Sequence, residues 1–319
     1  MYQMMSLPLY SGTFQEYDSW RDLGQELGSE MCIRDRDLPK DLPAELILGY
    51  HLIFYPDWLD FYRDDRAALK QKFGSLEAVA SFYGGLGPDT LLEQYRADLR
   101  RAVNLGARYV VFHVSDVSLE EGYTYRWLPT NQEVIDAAVE VVNLILGEER
   151  WPFEFLVENQ WWPGFTFTEP EETARLLEGI RFAGKGILLD TGHLMNACTE
   201  LKTEAEGADY IRSMLNRHGS LAKWVRGVHL HQSLSGAYVK AHTGSLPAGL
   251  PEDYMERFGV SYQHILQIDQ HRPWTDPAIL PVLEQIEPRY LTHELSSRGR
   301  MARAEAVSIQ TRLLRQGGR

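Results

Sequence analysis

Short apolar runs that end on an acid or a histidine recur along this chain, with helical periods between them. That alternation constrains the fold more than any other feature. The runs are "MSLPLY" (5–10), "LILGYHLIF" (46–54), "RYVVFHV" (108–114), "FEFLVEN" (153–159), "GILLDTG" (186–192), "VRGVHLHQ" (225–232) and "RYLTHEL" (289–295). Helical patterns separate them. "DTLLEQYRADLRRAVNLG" (89–106) opens on Asp-Thr and closes on Gly. "TNQEVIDAAVEVVNLILG" (130–147) carries a capping-box spacing from Thr130 to Glu133, and "EPEETARLLEGI" (169–180) puts acids in its first turn. Strands alternating with helices imply βα units and a parallel sheet. Seven runs, with room for an eighth, imply one (β/α)8 TIM barrel over 1–319. An open doubly wound sheet is the alternative, but no glycine-rich phosphate fingerprint follows any run.

The eighth strand belongs where "GSEMCIRDRDLP" (28–39) stands. Back-translated, "EMCIRDR" contains the transposon-end adapter of common sequencing libraries. The segment 28–37 therefore reads as foreign sequence that disrupts the second strand. Its alternating charges, Arg34 to Asp37, suit a buried strand poorly, whereas the preceding "DSWRDLGQELG" (18–28) reads as a helix.

Composition narrows the partners. A net charge of −13 opposes an affinity built on neutralising nucleic-acid phosphates. No apolar run reaches the length of a membrane span, and the first residues lack a signal-peptide layout. Two cysteines, Cys32 and Cys198, stand in no metal or redox spacing. The expectation is a cytoplasmic protein with a small-molecule substrate, no nucleic acid or membrane partner, and an oligomeric state left open.

In a TIM barrel, chemistry sits at the C-terminal ends of the strands. Those ends carry His51, His113, Glu158, Asp190, His193, His229, His231 and Glu294. Singly, each has a plain reading: a hydrogen-bonded core histidine, an aspartate capping the next helix, a glutamate meeting an arginine. Together they do not, because carboxylates ending buried strands need partners. A divalent cation held by Glu158, Asp190, His229 and Glu294 supplies one. Histidine and carboxylate without thiolate suit Zn²⁺ first, with Mn²⁺, Co²⁺ or Fe²⁺ as alternatives.

The series "FHV" (His113), "VEN" (Glu158), "LDTGH" (Asp190, His193), "VHLH" (His229) and "THEL" (Glu294) resembles the xylose-isomerase-like TIM barrels, over Leu46 to about Leu295. That superfamily joins sugar isomerases and epimerases to apurinic-endonuclease-type hydrolases. In the isomerase branch, the resemblance implies one metal on Glu158, Asp190, His229 and Glu294. In the hydrolase branch it implies two or three zinc ions, adding His51, His113, His193 and the His242 of "KAHTG". The hydrolase pattern has an aspartate two residues before that last histidine, where this chain has Lys240. The epimerase pattern has an arginine shortly after the seventh-strand histidine, and "HLHQSLSGAY" has none.

The extra histidines lean towards phosphoester hydrolysis, where several ions cooperate; a single ion suits isomerisation. Glu158, Glu294 and His193 are expected to carry catalysis. Lys240 is expected to hold a phosphate oxygen, and Trp58, Trp161, Trp162 and His231 to meet the substrate. The aromatic loops "YPDWLDFYRDD" and "ENQWWPGFTF" either pack over the rim or line a pocket for something larger and flatter than a sugar. "GYHLIFYPDWLDF" and "HLHQSLSG" resemble cobamide-remodelling phosphodiesterases, which cut a corrinoid's nucleotide loop. The long segment Ser233 to Pro277 is expected to form a lid or substrate loop, with His264, Asp269 and His271 as a surface or packing set and a metal role as the lesser alternative. A catalytically silent binding barrel is the alternative from another class.

Overall fold

Eight parallel strands close into a barrel in the computed structural model, which describes residues 1–9, 22, 28–33, 43–296 and 299–317. The strands are β1 (Tyr2–Leu9), β2 (Gly28–Ile33), β3 (Ile47–His51), β4 (Tyr109–His113), β5 (Glu154–Glu158), β6 (Lys185–Asp190), β7 (Val225–His229) and β8 (Tyr290–His293). β1 closes the ring by pairing with β8, Tyr2 opposite Tyr290. Each of the seven apolar runs overlaps a strand. The position where a disrupted strand is expected is occupied as far as Ile33. Gly28–Ile33 pairs with β1 on one side and with β3 on the other, where the register shifts between Ser29 and Glu30. Residues 34–37 lie outside the described residues, as does the helix expected over 18–28 apart from Asp22 and Gly28.

Side chains two apart on a strand share a face, and this periodicity builds the barrel interior in layers. Met4, Tyr109, Val111, Leu156, Leu188 and Tyr290 form one buried apolar cluster. Two residues beyond Val111, Leu156 and Leu188 stand His113, Glu158 and Asp190, so the polar series is the next layer of the same lumen. His229 follows Gly227 in the same way, and Glu294 follows Thr292. Two glycines make room for this filling. A Cβ on Gly49 would lie 2.3 Å from Tyr109 Cζ, and one on Gly227 would lie 2.6 Å from Leu188 Cδ1.

Helices cover the outside of the barrel and bury the larger apolar cluster against it. Asn131–Leu146 starts with the expected reciprocal Thr130–Glu133 capping box and stops at Gly147, whose φ is +56°. Pro88–Asn104 follows Gly87, and Pro170–Gly179 carries Glu171 and Glu172 in its first turn. None of the described helices is long and apolar enough to cross a membrane.

The insertion after β7 forms two helices, Gly236–His242 and Tyr254–Ile268. It reaches across to the loops that follow β3 and β4. Tyr254 stacks on Phe73 at 3.8 Å, His264 stacks on Tyr123 at 4.3 Å, and Arg257 Nη2 donates to the Lys72 carbonyl at 2.8 Å. His264 is a packing residue, as the sequence implied. Its two companions are not.

Candidate metal centre

Glu158, at the end of β5, is fully buried, and neither of its carboxylate oxygens makes a well-formed hydrogen bond. Such a group is costly unless charge surrounds it. Four histidines do: His113 Nε2 lies 3.1 Å away, His193 Nδ1 3.2 Å, His51 Nε2 3.4 Å and His229 Nδ1 3.5 Å. Burial pushes the Glu158 carboxyl up, but His113 and His229 outweigh it and hold the group well below the usual range. Asp190 is likewise fully buried, and His193 and His231 hold it low against burial.

Among the described residues the donors fall into three groups, each compact enough for one ion. His51, His113 and Glu158 form the first. Glu158, Asp190, His229 and Glu294 form the second, with His229 Nδ1 2.8 Å from Glu294 Oε2. His193, His231, Asp269 and His271 form the third. Glu158 belongs to two of them.

Backbone carbonyls orient the rings. His51 Nδ1 faces the Leu52 carbonyl at 3.0 Å, leaving Nε2 towards Glu158. His271 Nδ1 faces the Glu294 carbonyl at 3.0 Å, leaving Nε2 2.6 Å from Asp269 Oδ2. His193 Nδ1 faces the Asn159 carbonyl at 3.0 Å and its Nε2 lies 3.4 Å from Asp269 Oδ2. One nitrogen pinned by a carbonyl with the other left for an ion is the usual arrangement of metal-binding histidines. Burial lowers His271, yet Asp269 lifts it to about 9. With orphaned carboxylate oxygens at its heart and no thiolate, the donor set fits divalent ions such as zinc.

The structure therefore brings together His51, His113, Glu158, Asp190, His193, His229 and Glu294. It does not bring His242. That histidine is exposed at the end of its helix, with Nδ1 on the Tyr238 carbonyl and its ring stacked on Tyr238 at 4.1 Å. Lys240 is also exposed and pairs with Glu200 at 2.7 Å, away from any anion site. Lys240 and His242 both lie in the last turn of the short helix Gly236–His242, with exposed side chains. Asp269 and His271 take their place, directly after the helix Tyr254–Ile268. The signal was present in "DQH": an aspartate two residues before a histidine, the spacing sought at Lys240. His271→Ala is expected to lower the zinc content per chain, while His242→Ala leaves it unchanged. Elemental mass spectrometry of the two purified variants decides this, and the reverse result restores His242.

Among the expected substrate contacts, Trp58 is buried, donates from Nε1 to the Ser115 carbonyl at 2.7 Å, and packs beneath the rim. His231 is fully buried against Asp190. Trp161 and Trp162 lie beside the centre. Trp161 is 5.1 Å from the His193 ring, in a cluster with Val117, Val239 and Ile268 that the insertion covers. Phe54 meets the His113 ring edge-on at 4.2 Å.

The family model for the xylose isomerase-like TIM barrel matches residues 44–287, more than half of the chain. The chain belongs to this family. Solved structures that share the fold match it end to end. Endonuclease IV from Thermus thermophilus is 15% identical, with 99% of this chain and 100% of that one covered and a TM-score of 0.54. A D-tagatose 3-epimerase-like protein is 14% identical, with 100% and 98% covered and a TM-score of 0.51. The IOLI protein, described with a binding zinc atom, is 14% identical, with 99% and 98% covered and a TM-score of 0.50. At these identities the likeness establishes the shared fold. The solved structures that share the fold include both an endonuclease and an epimerase-like protein, and no curated protein matches the chain.

Proposed function

We propose that the protein is a metal-dependent phosphoester hydrolase acting on a bulky small molecule. The observation that carries this reading is the sharing of Glu158 between two donor groups, with a third group abutting them through His193. A barrel arranged for one ion has no use for His51, His113, Asp269 and His271 in that array. Divalent ions held there supply Lewis acidity and neutralise charge in a displacement at phosphorus.

The chain's own residues do the rest. Glu158 and Asp190, both fully buried, serve as anionic ligands and are shielded from proton exchange with solvent. Glu294, whose side chain is 19% exposed, is the carboxylate at the open edge of the second group, placed to meet the substrate or exchange a proton. Phe54 and Trp161 set uncharged aromatic walls beside His113 and His193. Such walls, on a chain of net charge −13, suit a flat or apolar phosphodiester better than a nucleic-acid backbone. The nucleotide loop of a cobamide has that chemistry, and it is the substrate to test first.

The second reading, a sugar isomerase or epimerase, rests on the second group alone, which is a complete four-donor set for one ion. One experiment separates the two. Purified protein is analysed for metal stoichiometry, then assayed on bis(p-nitrophenyl) phosphate and on a cobamide, and for solvent-proton exchange into ketoses. The hydrolase binds more than one zinc ion per chain and loses phosphodiester cleavage on chelation. A single ion with proton exchange and no cleavage overturns it.

A further inference from the structure

We propose that His231 is a positioning residue which ties the second donor group to the third, locking Asp190 and the His271 ring into one arrangement. The inference rests on the centre being a metal site.

His231 stands two residues after His229, continuing the inward face of β7, and is fully buried. Its main chain is immobilised from two sides. The carbonyl accepts from Thr191 Oγ1 at 2.6 Å and from Trp274 Nε1 at 2.8 Å. Its Nε2 lies 2.9 Å from Asp190 Oδ2. The other Asp190 oxygen already accepts the His193 backbone N–H at 2.6 Å. Asp190 thus has one oxygen fixed by its own helix and the other by His231. The ring has space only because residue 192 is glycine: a Cβ there would lie 2.0 Å from His231 Cε1.

The opposite face of the ring lies on His271. The two imidazoles stack at 4.0 Å between centroids with 5° between planes. An imidazole nitrogen donates its lone pair in the ring plane, so two parallel stacked rings cannot both direct that pair at one ion. Of the two stacked rings, His271 turns Nε2 to Asp269 at 2.6 Å, whereas His231 spends Nε2 on Asp190 and keeps only a buried Nδ1 without a hydrogen-bond partner. We take His271 as the ligand of the pair, which leaves His193, Asp269 and His271 as donors and His231 as their support. The consequence is coupling: a shift of His231 disturbs a ligand in the second group and a ligand in the third.

Zinc affinity tests this without recourse to turnover. Metal-free wild-type, His231→Phe and His231→Gln proteins are titrated with zinc against a chromophoric chelator, and stoichiometry is read at saturation. Phenylalanine keeps a stacking ring but has no donor for Asp190, and should weaken zinc binding by about 10–100-fold, the usual effect of losing an outer-shell partner. Saturation stoichiometry should not change. Glutamine, whose amide nitrogen reaches about as far as imidazole Nε2, should restore most of the affinity. If the phenylalanine protein does not fold, His231→Met, which also lacks a donor, carries the same expectation. Loss of one whole ion in His231→Phe, with the remaining ions bound as in wild type, would make His231 a direct ligand and overturn the proposal. Unchanged affinity in the folded variant also overturns it. Wild-type protein that takes up no zinc brings down the metal centre itself, and this inference with it.

Discussion

Glu158→Gln should strip the protein of more metal than any other single substitution, because its carboxylate is, among the described residues, the one donor common to two groups. The amide keeps the shape and removes the charge. The four histidine nitrogens within 3.1–3.5 Å then face a neutral group. Losing an outer-shell partner costs about 10–100-fold in metal affinity or activity, and loss of a shared inner ligand should exceed that at both groups. Phosphodiester cleavage should fall below detection. A second readout avoids dependence on the substrate. An ion that binds only folded protein stabilises it by about 2.7 kcal/mol at a concentration one hundred times its Kd. Thermal melts of wild-type protein should therefore rise with added zinc, and those of Glu158→Gln should keep only the part of that rise due to the third group, which lacks Glu158. His113→Ala, which touches the first group alone, should keep part of the shift. Equal zinc content in Glu158→Gln and wild type would mean that Glu158 is not the shared ligand.

The barrel was legible because its evidence is periodic. Seven apolar runs each overlap a strand, and His113, Glu158, Asp190, His229 and Glu294 each stand two residues beyond another lumen-facing position. Seven of the eight expected metal ligands sit on or next to those strands and converge for that reason. The insertion obeys no such period. There a single sequence cannot show which histidine points inward, and His242 and His271 both sit in polar surroundings with an upstream residue two positions away to compare. Three-dimensional context separates them. His242 ends a helix whose face at that point is solvent, whereas His271 follows a helix end with φ +48° and lies under the Glu294 carbonyl. Trp58 illustrates the opposite error. An aromatic residue in a loop after a strand looks like a pocket wall, but its indole is consumed by a hydrogen bond to the Ser115 carbonyl. The alternating charges that marked the second strand as disrupted, Arg34 to Asp37, lie outside the described residues; the backbone ahead of them pairs on both sides as far as Ile33.

Lys72→Met should destabilise the protein most among substitutions remote from the metal centre. Lys72 Nζ lies 2.7 Å from Asp57 Oδ1 and 2.7 Å from Asp60 Oδ2, with the Asp57 side chain 3% exposed. Nearby, Asp116 Oδ1 caps the rim helix Leu59–Tyr62 by accepting from Trp58 N and Leu59 N, each at 2.8 Å. Burial raises Asp57 to about 6, against the pull of Lys72, and burial with Asp57 beside it raises Asp116 to about 8. Removing one partner of a buried pair costs about 3–5 kcal/mol, because the other charge stays buried. The sign of the pH dependence follows from the same groups. Both carboxyls hold protons in the folded chain that the unfolded chain has already released. Their contribution to stability is thus present below about pH 4 and is lost as pH rises through about 6 and then about 8. Without Lys72, Asp57 should rise further. Urea melts should then show a large deficit for Lys72→Met at pH 8 that shrinks at pH 5, where Asp57 takes up a proton. Lys72→Arg, which keeps the cation, should recover part of the loss, and Lys70→Met on the exposed face should stay within about 0.5 kcal/mol of wild type. The Lys72 carbonyl also receives Arg257 from the insertion, so loosening this helix should loosen the cover over Trp161 and Trp162. A Lys72→Met protein as stable at pH 8 as at pH 5 would mean that Asp57 is already ionised at pH 5 in the folded variant, so that burial does not hold its proton there.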